Sequence, residues 1–273
     1  YGRGAIDMKS QAVCQLLALT RLYKDRLTPE RDILFLATCD EEVGGQYGVE
    51  YMLKEVEELR HASFVLSEGG CIIEENGCLH AQVSVAEKKL SQFSIEAKGT
   101  GGHGSMPHHD NANEKVLAAA NAIMSYQWPL KPTGIITTYL NGILKGEKKE
   151  GFTYTNLRET LRNKRFREFV ESNPVYNALL RNTVTVTILK GGEKVNVIPT
   201  ESSISFDARL LPTEDRQAFF RKIRVLAGKD VEVIPIGAEK HDPPQSGYDT
   251  PYFRGIKKVM KKLTGPIPVL PFV

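Results

Sequence analysis

Ile33-Leu34-Phe35-Leu36-Ala37 runs through Thr38-Cys39 into Asp40-Glu41-Glu42-Val43-Gly44-Gly45. An apolar run without polar alternation is the pattern of a strand covered on both faces, and the acids and glycines after it mark the turn that ends it. Phe64-Val65-Leu66 followed by Ser67-Glu68-Gly69-Gly70 repeats the arrangement. Around these runs the apolar spacing is helical: Val13, Leu16, Leu17 and Leu19 within Ser10 to Lys24, then Val49, Met52, Leu53, Val56 and Leu59. Strands separated by helices predict an α/β unit on a mostly parallel sheet, with helices on both faces.

Beyond residue 89 the pattern changes. Phe93, Ile95 and Ala97 alternate with polar residues, as do Val184, Val186 and Ile188, and then Ile204, Phe206 and Ala208. One-sided alternation predicts an antiparallel sheet with a single covered face. Helices fit Asn113 to Tyr126 and Glu214 to Ala227, the second with Phe219, Phe220, Ile223 and Leu226 inward, and another fits Tyr252 to Leu263. Residues 152–181 are polar and helix-prone, with irregular apolar spacing. The expected organisation is an α/β domain of residues 1–88 and 244–273, interrupted by an α+β domain of residues 89–243.

The 273 residues, 41% hydrophobic and 25% charged, suffice for a sizeable core. Net charge is only +3, and the basic groups Arg162-Asn163-Lys164-Arg165 and Lys257-Lys258 to Lys261-Lys262 read as solvated helix faces, so no nucleic-acid partner is expected. No apolar run approaches the roughly 20 residues that span a bilayer, so no membrane partner is expected either. Cys14, Cys39, Cys71 and Cys78 lack metal-ribbon spacing and read as reduced core thiols, which suits a cytoplasmic protein. The chain opens at Tyr1 on a glycine turn and stops at Val273 without a tail, so it reads as a piece of a longer one, and a leader segment upstream stays compatible with it.

The chemistry concentrates at acids on turns. Asp40-Glu41-Glu42 repel one another unless a cation sits among them, and ligands of open parallel sheets bind beyond the carboxyl ends of strands. Glu68 stands in the same relation to its own strand, and Asp7 lies between the Gly2-Arg3-Gly4 turn and the first helix. Singly, each has an ordinary reading: Asp7 as a helix N-terminal acid, residues 40–42 as a solvated loop, Glu68 as a turn residue. Jointly, three loops deliver acid to one rim. Carboxylates are oxygen ligands that zinc accepts, a pair of ions about 3.5–4 Å apart can clamp water and a carbonyl, and one of two adjacent glutamates can bind while its neighbour acts as base.

A second concentration is Gly99-Thr100-Gly101-Gly102-His103-Gly104-Ser105-Met106-Pro107-His108-His109. Three histidines in seven residues suggest a metal site, but the glycines around His103 also suit close backbone approach with one projecting imidazole, a donor to an oxyanion. A phosphate cradle is a third reading that lacks the βαβ context it needs. His108 and His109 are expected at the surface, and His61 and His80 carry no signal.

In order along the chain, Tyr1 to Lys9, Asp40 to Gly45, Ser67 to Gly70, Gly101 to Pro107, Asn196-Val197-Ile198-Pro199 and Asp207-Ala208-Arg209 resemble the motifs of the zinc peptidase family of aminoacylase, carboxypeptidase S and succinyl-diaminopimelate desuccinylase. The resemblance implies that Asp7 bridges two zinc ions (cobalt or manganese would accept similar ligands), with Glu42 on one and Glu68 on the other. It implies Glu41 as the acid/base and the inserted domain as a lid and dimerisation domain of a homodimer. His103 would reach the partner's active site and stabilise the oxyanion, and Asn196 and Arg209 would hold the substrate, an arginine suiting a carboxylate by its bidentate fork. Read alone, Asn196 is a turn cap and Arg209 a surface ion pair.

Two features of the family's pattern are absent: a His-x-Asp motif upstream of the Gly-Arg-Gly turn, and a histidine near the C-terminus. Two expected ligands are therefore missing, and weak or no zinc binding is expected of these residues alone. The implied reaction is hydrolysis of an amide bond next to a free carboxylate, in a small peptide or N-acyl amino acid. The rival is a non-catalytic binding or regulatory homologue, against which an intact Glu41 argues.

Overall fold

The spacing around Leu16 gives a helix with the expected bounds, α1 (Ser10–Lys24), and a second follows as α2 (Val49–Glu55). The computed structural model describes residues 2, 4–75, 77–145, 148–149, 151–237 and 242–273, and Tyr1 and Arg3 of the opening motif fall outside these. The chain divides into two units, Tyr1–Gly69 and Gly70–Val273.

In the first unit the two apolar runs depart from expectation. Among the described residues neither 33–37 nor 64–66 joins a sheet, and Leu34 and Val65 are 58% and 72% exposed. The reason is physical: a parallel strand takes its cover from ladder neighbours and from helices on both faces, and no described residues of this unit supply that ladder. For the same reason the apolar stripe of α1 has no buried residue. Side chains tie their flanks: Arg31 Nη1, ahead of the first run, donates to Ser63 Oγ ahead of the second at 3.1 Å, and Gln11 Nε2 of α1 donates to the Ser67 carbonyl at 3.0 Å.

The second unit contains, in chain order, β1 (Ile72–Glu75), β2 (Cys78–Ser84), β3 (Lys89–Leu90), β4 (Phe93–Lys98), β5 (Gly102–His103), α3 (Ala112–Ser125), α4 (Gly134–Leu144), β6 (Lys148–Lys149), β7 (Phe152–Thr153), α5 (Leu157–Thr160), α6 (Lys164–Ser172), α7 (Pro174–Leu180), β8 (Thr183–Gly191), β9 (Val197–Ile198), β10 (Glu201–Leu210), α8 (Arg216–Ala227), β11 (Glu232–Pro235), α9 (Pro251–Thr264) and β12 (Val269–Phe272). It is a mixed α/β structure.

The alternation at 93–97, 184–188 and 204–208 forms the antiparallel sheet it predicts: β10 pairs antiparallel with β4 and with β8, and β11 adds to β4. Along β10, Ile204, Phe206, Ala208 and Leu210 are buried, and α3 and α8 cover that face with Val116, Ile123, Phe219 and Ile223. A separate core joins β2 and β12, which pair in parallel, to the buried helix α4 and to α5, α6 and α7. The helix-prone 152–181 stretch thus resolves into three short helices, capped by the side chains of Asn156, Asn163 and Asn173. Their core is shared with residues 81–86, 253 and 269–270 rather than with the antiparallel sheet.

The cysteines are unpaired as expected, but Cys14, Cys39 and Cys71 are exposed rather than core. The first two sit in the unit whose apolar runs are uncovered, and Cys71 precedes the edge strand β1. Among the described residues no helix is long and apolar enough to cross a membrane.

Candidate functional site

Asp40 organises the acidic turn. Its backbone carbonyl accepts from the amides of Val43 and Gly45, and its Oδ2 accepts from the Tyr47 amide at 2.9 Å. The chain then folds back so tightly that a Cβ at Gly48 would stand 2.0 Å from the Cys39 carbonyl oxygen. One of the three successive acids is therefore committed to the loop, which leaves Glu41 and Glu42 exposed on the short turn Glu41–Val43. Asp7 is exposed just ahead of α1, and Glu68 is exposed next to Ser67. The Gln11–Ser67 hydrogen bond ties the start of α1, four residues beyond Asp7, to the residue before Glu68.

Carboxylate oxygens have the right chemistry for zinc. Yet among the described residues no group of three or more His, Cys, Asp or Glu side chains is gathered closely enough to hold a metal ion. Asp7, Glu42 and Glu68 are exposed acids that do not close into a centre by themselves.

In the second unit the glycine-histidine loop is clamped at its base. The Thr100 amide donates to the Asp110 carbonyl and its hydroxyl to Asp110 Oδ2, while Lys115 bonds the Asp110 carboxylate and the Lys98 carbonyl. Those hydrogen bonds from Lys115 and Thr100 hold the Asp110 carboxyl below its usual range. A Cβ at Gly99 would lie 2.5 Å from the Asp110 carbonyl oxygen, so only glycine closes this base. Inside the loop, His103 pairs with Val197 and the Gly104 amide donates to the Asn196 carbonyl at 2.8 Å. Two motifs some ninety residues apart, 101–107 and 196–199, thus meet, and both His103 and Asn196 are exposed there.

His109 is exposed as expected, and His108 is half-buried. Its imidazole tucks against Gly102, where an added Cβ would stand 3.2 Å from Nε2. Both of its ring nitrogens are buried, because the glycine leaves room for the ring. His80 is also more than a silent residue. It is fully buried, with Nε2 3.1 Å from the Tyr139 hydroxyl, which also receives Gln82 Nε2 and donates to Glu75 Oε2. Burial, with Glu75 alongside, pushes the Tyr139 hydroxyl's pKa upward.

Arg209 stands elsewhere. It lies seven positions along β10 from Ser202, about 23 Å at strand rise, toward the end of the strand away from the His103–Asn196 corner. It grips Asp207 through Nε and Nη2 at 2.9 and 3.2 Å. Burial opposes ionisation of Asp207, but hydrogen bonds from Arg209 and Gln92 outweigh it and hold the carboxyl below its usual range.

Behind this pair Lys88 donates to the carbonyls of Ala178 and Arg181 and to Thr183 Oγ1. Burial, then the Arg209 charge, brings its pKa from the ordinary 10.5 down to about 8. Below pH 8 both folded and unfolded chains hold this proton, and the burial cost stands in full. Between about 8 and 10.5 only the unfolded chain holds it, so the group's contribution to stability rises with pH. Urea denaturation should therefore find the natural protein gaining on Lys88→Met across that window, by up to about 3 kcal/mol. A difference independent of pH would contradict the assignment.

A family model described as peptidase family M20/M25/M40 matches residues 1–271. Among curated relatives, the N-fatty-acyl-amino acid synthase/hydrolase PM20D1 of Mus musculus is 29% identical over 78% of this chain and 44% of its own length. Aminoacylase-1A of Rattus norvegicus is 28% identical over 82% of this chain and 45% of its own. The chain spans less than half the length of these relatives. Among solved structures, human carnosine dipeptidase 1 is similar in fold, with a TM-score of 0.56 over 99% of this chain and 61% of that one at 15% identity.

Proposed function

The chain belongs to peptidase family M20/M25/M40, and from that premise we propose that the full protein hydrolyses an amide bond beside a free carboxylate, in a small peptide or N-acyl amino acid. The observation that carries this reading is the acidic turn, where Asp40 accepts the Tyr47 amide and Glu41 and Glu42 follow it on adjacent exposed positions.

Asp7, Glu42 and Glu68 would be the carboxylates that hold divalent ions, zinc by preference. When bound, such ions would supply an acidified water and a polarised carbonyl. Glu41 takes the proton from water and returns it to the departing amine. His103 donates to the oxyanion from its corner with Asn196, while Arg209 offers its guanidinium to the substrate carboxylate.

His103 belongs to the β5–β9 corner that precedes β10, and Arg209 lies near the far end of that strand, so the two are taken to serve different ligands. This supports a homodimer in which the inserted domain, residues 89–243, serves as lid and dimer surface, and the two ends of the strand serve different sites. The apolar runs 33–37 and 64–66, joined ahead of both by the Arg31–Ser63 hydrogen bond, are proposed as neighbouring strands of a parallel catalytic sheet in the full protein, formed by residues 1–88 and 244–273. Four unpaired cysteines suit a reducing, cytoplasmic setting.

The test is a panel of dipeptides and N-acyl amino acids presented to the full-length protein with metal analysis alongside. Turnover should require the free carboxylate, fall by more than about tenfold after chelation, in keeping with water activation by metal, and return on adding zinc. Turnover that survives complete metal removal would refute the mechanism.

A further inference from the structure

We propose that Ser105 is a positioning residue that fixes the tautomer of His103, so that the imidazole presents Nε2–H outward as a donor. The inference rests on the reading of His103 as an oxyanion donor and deepens it. Ser105 Oγ lies 2.7 Å from His103 Nδ1, and the Ser105 backbone amide is directed at the same nitrogen at 3.2 Å.

A backbone N–H cannot rotate away as a hydroxyl can, so a hydrogen on Nδ1 would face it head-on. Nδ1 is therefore the acceptor, the serine hydroxyl turns its own hydrogen toward it, and the ring proton of the neutral imidazole resides on Nε2. The local chain enforces this geometry. The Met106 amide donates to the His103 carbonyl at 2.9 Å, closing a turn over residues 103–106, and the Gly104 amide is tied to the Asn196 carbonyl. A Cβ at Gly104 would touch the Asn196 backbone at 3.4 Å, so the turn sits flat against its neighbour. The ring is exposed, which leaves Nε2–H facing outward.

An oxyanion needs a donor at that nitrogen. The opposite tautomer would offer a lone pair to a developing negative charge and work against the reaction. The rigid amide sets the direction of the preference, and the hydroxyl at 2.7 Å holds the ring within the amide's reach, so that its loss would let the imidazole swing away and sample both tautomers.

The experiment uses full-length protein with its histidine rings labelled with ¹⁵N, at a pH where His103 is neutral. The natural protein should give ring shifts of the Nε2–H form. Ser105→Ala should move them toward a mixture of tautomers, and Ser105→Thr, which keeps the hydroxyl, should restore them. In parallel, kcat should fall about 10- to 100-fold in Ser105→Ala, as loss of an orienting partner does elsewhere, with KM changed less and threonine rescuing. Ring shifts unchanged in a folded Ser105→Ala protein overturn the proposal. Shifts that move while kcat holds uphold Ser105 as the tautomer setter and refute the oxyanion role of His103 instead.

Discussion

Glu41→Gln in the full-length protein is expected to lower kcat by about 10²–10⁴-fold on an N-acyl amino acid or dipeptide, the range typical of a positioned general base, with metal content unchanged. The amide matches the carboxylate in shape but cannot take a proton, so the loss would be chemical rather than steric. The acidic turn offers no ready substitute. Asp40 receives the Tyr47 amide and anchors the loop through its carbonyl, and Glu42 is the proposed ligand. Asp40→Asn should therefore act through a different route, loosening the turn and changing KM and stability together. Steady-state kinetics with metal analysis on each variant separates the two. Turnover unaffected by Glu41→Gln would refute Glu41 as the base, whereas a natural full-length protein that binds these compounds without turning any of them over would return it to the rival reading, a binding homologue that uses the cleft only for recognition.

What the sequence made legible followed from how each element gets its burial. The strands β4, β8 and β10 were readable because one covered face imposes alternation, as in Ile204, Phe206 and Ala208 of β10. Helix α1 was readable from its apolar stripe even though that stripe is uncovered. Helix α4 was not. Ile135, Ile136, Tyr139, Leu140, Ile143 and Leu144 are all buried, and a helix apolar around most of its circumference has no polar face to set the period. The runs 33–37 and 64–66 show the opposite limit. An apolar run records that a segment is destined for cover, not which residues supply it, and the described residues of the first unit do not. At the site, motif spacing marked Asp7, Glu41, Glu42, Glu68, His103, Asn196 and Arg209, but only coordinates could bring Asn196 against the His103 loop and leave Arg209 at the far end of β10. Ser105 stood within the quoted motif Gly101 to Pro107. Its hydroxyl, two residues from an imidazole on a glycine-flanked turn, was the signal that could have identified it.

Phe93→Ala should destabilise the second unit by about 3–5 kcal/mol, the usual cost of removing a fully buried aromatic ring. Phe93 is 0% exposed, stacks on Phe206 with centroids 4.7 Å apart, and meets Phe219 and Phe220 edge-on at 6.2 and 6.1 Å. Removing it deletes the contact shared by sheet and helix α8, and the surrounding rings cannot all close on the cavity, because Phe206 is fixed by the β10 ladder. The effect should reach the site. β4 runs from Phe93 to Lys98 and delivers the chain to Gly99, whose tight closure onto Asp110 carries the His103 loop. Hydrogen exchange should therefore rise first at the amides of Gly99, Thr100 and Gly104, which are bonded across that loop. Val225→Ala on the same helix α8 is the control: its side chain is 75% exposed, and its cost should stay within about 0.5 kcal/mol. Thermal and urea denaturation of both variants would decide the matter. A Phe93→Ala protein no less stable than Val225→Ala would mean that the aromatic cluster does not hold the sheet and helix together, and with it would go the structural basis for a rigidly presented His103.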